Sequence, residues 1–151
     1  MYTHAIDETH AVLLGVYSGA KEAGDVGRCV ESMQRTDRIA LGQKRGALFV
    51  VIPDPGYPSP NSQDRRRFAA LKESCCAGPS LFVLVTRSSL LRGVITAVSW
   101  LSPNNERWRA VTCESLIEAT ARAAEFRAPA AEALRALDRG LRAGLPMRRA
   151  G

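Results

Sequence analysis

The chain is poor in the residues that most catalytic and metal sites need. Among its 151 residues there are only two histidines, His4 and His10, with Asp7 and Glu8 between them. This spacing is not the i, i+4 geometry that places two imidazoles on one helix face, so we expect no histidine-based metal site. A catalytic triad would also depend on these two histidines, and no G-x-S-x-G motif supplies its serine.

Cysteine is scarce and wrongly spaced for a structural framework. The four cysteines stand at positions 29, 75, 76 and 113, with no C-x-x-C pair and with two of them adjacent. We therefore expect reduced, buried thiols rather than a zinc knuckle or a disulfide scaffold. The sequence also has no basic segment followed by an apolar stretch at its start, and no run of about 20 apolar residues. We expect a cytoplasmic protein without a membrane span.

Aromatic residues make up 6% of the chain, and only three of its 21 basic residues are lysines. The net charge is +6, but the basic residues are spread along the chain without interleaved aromatics, which argues against nucleic-acid binding. The densest cluster is Arg65-Arg66-Arg67, directly after Asp64. Early in a helix these arginines oppose the helix dipole, so they are candidates for binding an anionic group. The alternative is a solvated face paired with carboxylates.

Nucleotide and phosphate motifs are also missing. Neither G-x-x-x-x-G-K-[ST] nor G-x-G-x-x-G occurs. The segment from Cys29 to Arg35, followed by Thr36, matches the bare C-x5-R pattern of a phosphatase loop. It contains no glycine and its periodicity predicts a helix, so we interpret it as a chance match. The sequence thus predicts no catalytic residue, no cofactor and no metal.

Three short apolar runs are the main feature that is present. They span residues 11–17, 48–52 and 81–85. Because they are continuously apolar rather than alternating, we predict strands that are covered on both faces, with 48–52 and 81–85 side by side at the centre of one sheet. Residues 107–112 alternate and predict a half-exposed edge strand, and residues 2–6 are a candidate for another edge.

Segments of helical period lie between these runs. Val26, Cys29 and Met33 fall on one face of the first, and Ser59-Pro60 is the predicted start of the second. The third is predicted to end at residues 102–104, and Ser115 with Glu118 forms a capping box at the start of the fourth. Composition and length fit one α/β domain with about four mainly parallel strands alternating with helices.

A final amphipathic helix is predicted after Pro129. Ala130, Leu134, Leu137 and Leu141 share its apolar face. We divide the chain into an α/β domain at 1–127 and, at 128–151, this helix with a frayed basic tail. The helix could cover its own sheet, dock a partner or touch an acidic membrane, and covering the sheet is the interpretation that most small domains favour.

The best candidate surface lies at the carboxyl ends of the predicted strands, where open α/β sheets bind ligands. A proline-rich loop at 53–62 follows the second buried strand, and polar residues 86–89 follow the third. The candidate interaction or phosphorylation residues on these loops are Asp54, Ser59, Ser62, Thr86, Arg87 and Ser88. The alternative is that these residues only turn the chain and cap helices.

This order of elements resembles the anti-sigma-factor-antagonist-like (STAS-like) domains, including stand-alone bacterial members, over residues 9–127. In that family an aspartate closes the central strand, which Asp54 matches, and a phosphorylatable serine or threonine starts the next helix, where Ser59 or Ser62 falls approximately. The family's compact Asp-Ser-Ser/Thr-Gly signature is replaced here by the proline-rich loop. The resemblance implies a non-enzymatic switch that binds a protein partner or an apolar ligand.

Three functional hypotheses remain open at this point. The first is a non-enzymatic regulatory domain of STAS-like type with an unidentified protein partner. The second is a small enzyme or ligand-binding domain that works at the strand ends through Asp54, Thr86, Arg87 and Ser88. The third is a subunit-association domain, such as a homodimer, that uses the helix from Leu134 to Leu141. A deep pocket holding Asp54 and Arg87 would favour the second over the first.

Overall fold

The computed structural model describes residues 1–101, 103 and 105–144. The strands are β1 (Tyr2–Asp7), β2 (Val12–Tyr17), β3 (Leu48–Pro53), β4 (Ser80–Val85) and β5 (Trp108–Cys113). The helices are α1 (Asp25–Gly42), α2 (Ser62–Ser74), α3 (Ser89–Leu101), α4 (Leu116–Phe126) and α5 (Ala128–Gly144). The predicted α/β class is therefore confirmed, with five strands rather than about four.

The five strands form one sheet in the order of the chain, β1-β2-β3-β4-β5. β1 is antiparallel to β2, and every later pair is parallel. The predicted central pair is confirmed, because β3 and β4 lie side by side with Val50 opposite Val83. β1 and β5 are the edges, as their sequences predicted.

One surface of the sheet, which we call the aromatic face, is covered by α1, α2 and α3. Three βα crossovers of the same hand that always step to the next strand leave their helices on the same side. Phe49, Phe82 and Trp108 project from β3, β4 and β5 into this layer. The predicted α1 face is confirmed, since Val26, Cys29 and Met33 are buried in α1.

The helices of the aromatic face do not sit equally close to the sheet. The backbone of α1 lies against β1 and β2, whereas α2 lies close to α1 and α3 and hardly to the strands. The backbone of α3 approaches the sheet mainly at β5. Large side chains therefore fill most of the space between α2, α3 and the central strands.

The opposite surface, which we call the alanine face, is covered by α4 and α5. Its fully or nearly fully buried helix residues are mostly small: Ala119, Ala123, Ala130, Ala131, Ala133 and Leu134. They pack against Val12, Leu14 and Val50. The backbone of α5 lies against β1 and β2, so this helix covers its own sheet. The predicted basic tail at 145–151 lies outside the described residues.

The predicted start of α4 is confirmed in part, and the predicted end of α3 falls partly outside the described residues. Ser115 caps α4 as expected, because its hydroxyl accepts a hydrogen bond from the backbone amide of Glu118 at 3.2 Å. The carboxylate of Glu118 accepts from the amide of Glu114 at 2.9 Å rather than from that of Ser115, so the predicted capping box is shifted by one residue. α3 ends at Leu101, and residues 102 and 104 of its predicted stop signal lie outside the described residues.

Candidate functional site

The two predicted loops begin at the same edge of the sheet. The amide of Asp54, just after β3, donates to the carbonyl of Tyr17 at 2.7 Å, and the amide of Thr86, just after β4, donates to the carbonyl of Cys113 at 2.7 Å. Each loop thus starts by extending the hydrogen bonding of its strand toward a neighbouring strand. Asp54 is half-buried there and Arg87 is exposed.

The hydroxyl groups after β4 organise the start of α3. Thr86 is buried, and its Oγ1 accepts from the amide of Ser88 at 3.1 Å. The hydroxyl of Ser88 accepts from the amide of Leu91 at 3.3 Å, which satisfies a free donor of the first helical turn. These contacts give Thr86 and Ser88 a local structural role.

The start of α2 corrects one prediction. The cap is Asn61 rather than Ser59, and Pro60 is not the first helical residue. The side chain of Asn61 accepts from the amide of Asp64 at 2.8 Å, while the carboxylate of Asp64 accepts from the amide of Asn61 at 3.3 Å. This reciprocal pair satisfies two donors at once, which a serine two positions earlier cannot do. Ser62 is the exposed first residue of α2, and Ser59 is half-buried in the loop.

The arginine cluster divides into two parts. Arg65 donates from its Nη1 to the carbonyl of Pro60 at 2.9 Å, so it braces the proline-rich loop. Arg66 and Arg67 are exposed, and neither forms an ion pair with another residue that the structure describes. The pair is therefore open to solvent, which leaves anion binding there a hypothesis.

The residues predicted for the loop surface are not gathered in a deep pocket. An apolar cavity lies instead between α2, α3 and the aromatic face, and we call it the α2–α3 cavity. Its volume is about 90 Å³. The residues that line it include Tyr17, Val51, Tyr57, Pro58, Phe68, Leu71, Phe82, Leu84, Leu91, Val94, Ile95, Val98 and Trp108. Neither Asp54 nor Arg87 is among its lining residues.

Aromatic side chains form the floor and one end of the α2–α3 cavity. Trp108 stacks on Phe49 with ring centroids 5.1 Å apart and on Phe82 at 6.1 Å. At the carboxyl edge of the sheet, the rings of Tyr17 and Tyr57 are 4.9 Å apart. Because α2 and α3 rest on these large rings, the smaller side chains around them leave the space unfilled. A wall this apolar favours an apolar guest.

Two lysines line the α2–α3 cavity. At the carboxyl edge, Nζ of Lys21 lies 2.9 Å from Oδ2 of Asp64. Lys72 lies on α2, about two helical turns after Asp64, and is only 5% exposed. Burial lowers the pKa of Lys72, and the nearby charge of Glu73 acts in the opposite direction. The wall is otherwise almost entirely apolar.

A buried carboxylate that the sequence did not single out holds the proline-rich loop in place. Asp25 is fully buried and accepts hydrogen bonds from the amides of Tyr2 at 2.8 Å and Glu22 at 2.9 Å, and from the hydroxyl of Tyr57 at 2.6 Å. Arg28 also pairs with it. Burial alone would raise the pKa of Asp25, but hydrogen bonds, that from Tyr57 foremost, lower it well below its usual range. The hydrogen bond from Tyr57 to Asp25 thus anchors the proline-rich loop.

The remaining sequence candidates are dispersed. Cys29 lies inside α1, fully buried, and burial raises its pKa to about 11, which disfavours the thiolate that phosphatase chemistry needs. All four cysteines are free, and only Cys76 is exposed. Nδ1 of His10 lies 3.1 Å from Oδ1 of Asp7, whereas His4 is on β1. Within the described residues, no group of three or more metal-ligating side chains occurs.

None of the helices in the described part of the chain is long and apolar enough to span a bilayer. Comparison with protein-family models, with curated proteins and with solved structures finds no match for this chain.

Proposed function

We propose that this chain is a non-enzymatic regulatory domain of STAS-like type whose input is a small apolar ligand held in the α2–α3 cavity. The observation that carries the proposal is the cavity itself, an apolar space of about 90 Å³ between helices and a sheet, which has the apolar lining of a small-molecule site but is smaller than the usual volume of roughly 300–1,000 Å³. The order of strands and helices is also the one on which the STAS-like resemblance was based.

Binding is favoured over catalysis by the use of the polar groups near the strand ends. The hydroxyl oxygens of Thr86 and Ser88 already accept hydrogen bonds from backbone amides at the start of α3. Asp64 is engaged by Lys21 and by the amide of Asn61. Catalysis requires an acid, base or nucleophile that faces the substrate, whereas these groups support the fold.

The proline-rich loop supplies a route from ligand to partner. Tyr57, Pro58 and Pro60 line the α2–α3 cavity, while Asp54 and Ser62 lie on the same loop or at its end. A ligand that presses on Tyr57 would shift the loop that carries the proposed partner surface. In this proposal the partner is a protein that binds the loop. Of the two candidate phosphorylation sites, Ser59 and Ser62, Ser62 is the better placed because it is exposed at the start of a helix.

The ligand-binding part is tested with a neutral apolar probe, 1-octanol, and a variant that fills the cavity. We expect octanol at several times its dissociation constant to stabilise the wild type by roughly 1 kcal/mol and to raise its Tm by about 2–4 °C. Ile95→Trp should abolish this shift while the protein stays folded. Ile117→Trp, on the exposed side of α4, is the matched control and should keep the shift. No shift in the wild type with any apolar probe would refute the proposal.

The regulatory part is tested by amide hydrogen exchange. Octanol should slow exchange in residues 54–62 of the wild type, because the loop closes over the occupied cavity. Tyr57→Phe removes the hydroxyl bond to Asp25 and should weaken this response without removing ligand binding. If binding leaves exchange in 54–62 unchanged, the cavity does not communicate with the loop.

A further inference from the structure

The two edges of the sheet differ in how their backbone groups are used. At the β5 edge, Trp108 exchanges hydrogen bonds with Asn105 through both its amide and its carbonyl, at 3.2 Å each. The amide of Glu114, just after β5, donates to the carboxylate of Glu118 at 2.9 Å. Arg109 is exposed between these two ends. Turns and charged side chains of this kind keep an edge strand from pairing with another chain.

The β1 edge is protected in neither way. Residues 2–6 contain no arginine, lysine, acid or proline. The amide of Ser18 donates to the carbonyl of Met1 at 2.9 Å, and because bonding alternates along an antiparallel pair, the odd-numbered residues of β1 bond to β2. The amides and carbonyls of His4 and Ile6 therefore point away from the sheet, and no residue that the structure describes bonds to them.

The open groups of β1 are spaced so that they match a second copy of the same strand. If two copies pair in antiparallel order around Ala5, His4 of each copy lies opposite Ile6 of the other. These residues then exchange amide-to-carbonyl bonds, which satisfies the open groups of both copies. A two-fold pair of this kind is closed, since the same surface serves both subunits.

The helices beside β1 leave room for this pairing on both faces of the sheet. α1 lies similarly close to β1 and β2, and so does α5. Each helix axis therefore lies over the gap between the two strands, so strands about 4.8 Å apart would place the two copies of a helix about 10 Å from each other. Packed helices are normally roughly 8–10 Å apart. A helix pair on each face would thus add to the area that the strand pair buries.

The surfaces of the helices that would meet are complementary. Arg28, Glu31 and Arg35 share one face of α1, at positions i, i+3 and i+7. Arg35 pairs with Glu8, just after β1, which places this face on the β1 side. The two copies of α1 would run antiparallel, so that the acid of each copy lies beside an arginine of the other. Such complementary charges favour the correct partner and its register.

We propose that a second copy of this chain pairs with the β1 edge in antiparallel order about Ala5, which joins the two sheets into one continuous sheet. This interface is separate from the α2–α3 cavity, so it does not depend on the ligand proposed for that cavity. It also differs from association through the apolar face of α5, because Leu134 packs against the strands of its own sheet.

The first test is the oligomeric state. Sedimentation velocity over a range of micromolar concentrations should give the wild type twice the mass of the chain. His4→Pro removes an outward amide, a change that edge strands tolerate, and should give a folded monomer by circular dichroism. Thr112→Pro is the matched control at the β5 edge, where the bonds of Arg107 and Cys113 to β4 leave the even-numbered residues facing outward, and it should remain a dimer. A monomeric wild type, or a folded His4→Pro that is still a dimer, would overturn the inference.

Disulfide trapping tests the register without a proline. Ala5→Cys places two thiols on the two-fold axis, in a non-hydrogen-bonded pair whose Cα atoms are about 4.5 Å apart, which a disulfide can span. Oxidation by copper phenanthroline should link this variant into a covalent dimer to a greater extent than the wild type. Val111→Cys, at the matching position of β5, should be linked no more than the wild type. No additional link in Ala5→Cys would contradict the pairing about Ala5.

Amide hydrogen exchange tests the wild type itself. The amides of His4 and Ile6 should exchange slowly in the dimer, whereas those of Ala110 and Thr112 at the other edge should exchange quickly. Rapid exchange at His4 and Ile6 would overturn the inference. Slow exchange there in a monomeric sample would also overturn it, because another part of the same chain would then cover the edge.

Discussion

The two faces of the sheet are packed in opposite ways. On the alanine face, small side chains let α4 and α5 come close to the strands, and Ala119, Ala123 and Ala130 have no exposed surface. On the aromatic face, Phe49, Phe82 and Trp108 hold α2 and α3 away, and a cavity of about 90 Å³ remains. The difference shows that one sheet can support a closely packed layer on one face and a layer with an apolar cavity on the other.

The largest expected effect comes from truncating a leucine on each face. Leu134→Ala on the alanine face should cost about 3–5 kcal/mol of unfolding free energy, because close-packed surroundings cannot collapse into the new space. Leu91→Ala, beside the α2–α3 cavity, should cost about 2 kcal/mol or less since its side chain already lacks neighbours on one side. Urea denaturation followed by circular dichroism measures both. Equal losses would contradict the proposed difference in packing.

Adding side-chain volume should also cost more stability on the alanine face than on the aromatic face. Ala123→Leu on the alanine face should lower stability by about 1–3 kcal/mol, because the helix must move away from the strands. Val98→Phe adds more atoms but extends into the α2–α3 cavity, so we expect its stability to stay within about 1 kcal/mol of the wild type. Thermal unfolding of the two variants tests the comparison, and a large loss in Val98→Phe would mean that the cavity is not available space.

The buried carboxylate on the aromatic side should make stability depend on pH. Because the pKa of Asp25 is lowered in the folded state, its contribution is complete above the ordinary carboxyl pKa of about 4 and is lost as the pH falls below that value. Asp25→Asn should cost about 2 kcal/mol at pH 7 and flatten the acid side of the stability curve. Glu106→Gln, at an exposed site, serves as the control and should leave the curve as it is.

The smallest effect is expected at the start of α2. Ser62→Asp places a negative charge at the positive end of a helix dipole and should stabilise the protein by about 0.3–1 kcal/mol at low salt. Ser62→Asn keeps the size of the side chain without the charge and should change stability less. Raising the salt concentration to 1 M should remove most of the difference between the two variants, and a difference that persists would point to a cause other than charge.

The strands were predictable because their signal is local. Continuous apolar runs at 48–52 and 81–85 can be buried only if both faces of the sheet are covered, and the structure confirms this for β3 and β4. The period of α1 and the cap of α4 at Ser115 were read from neighbouring residues in the same way. The predicted start of α2 was wrong because the Asn61–Asp64 pair satisfies the free amides of the first turn better than Ser59 can.

The α2–α3 cavity was not predictable by that reasoning, since it depends on how residues from seven strands and helices meet. One signal was available: Phe49 and Phe82 occupy equivalent positions in their runs, so parallel pairing in register puts both rings on the same face. The buried role of Asp25 had no such signal, because an acid in the first turn of a helix is ordinary. Its partners Tyr2 and Tyr57 are 23 and 32 residues away in the sequence.

The order of the sheet also has a consequence for how the chain is made. Since every strand pairs with the one synthesised just before it, the sheet can grow from β1 to β5 as the polypeptide emerges. The cover for Val12 and Leu14, however, is provided by α5, the last helix described, and by Arg127, which donates to the carbonyl of Gly46 at 3.1 Å. This early apolar surface therefore stays uncovered until α5 has been synthesised.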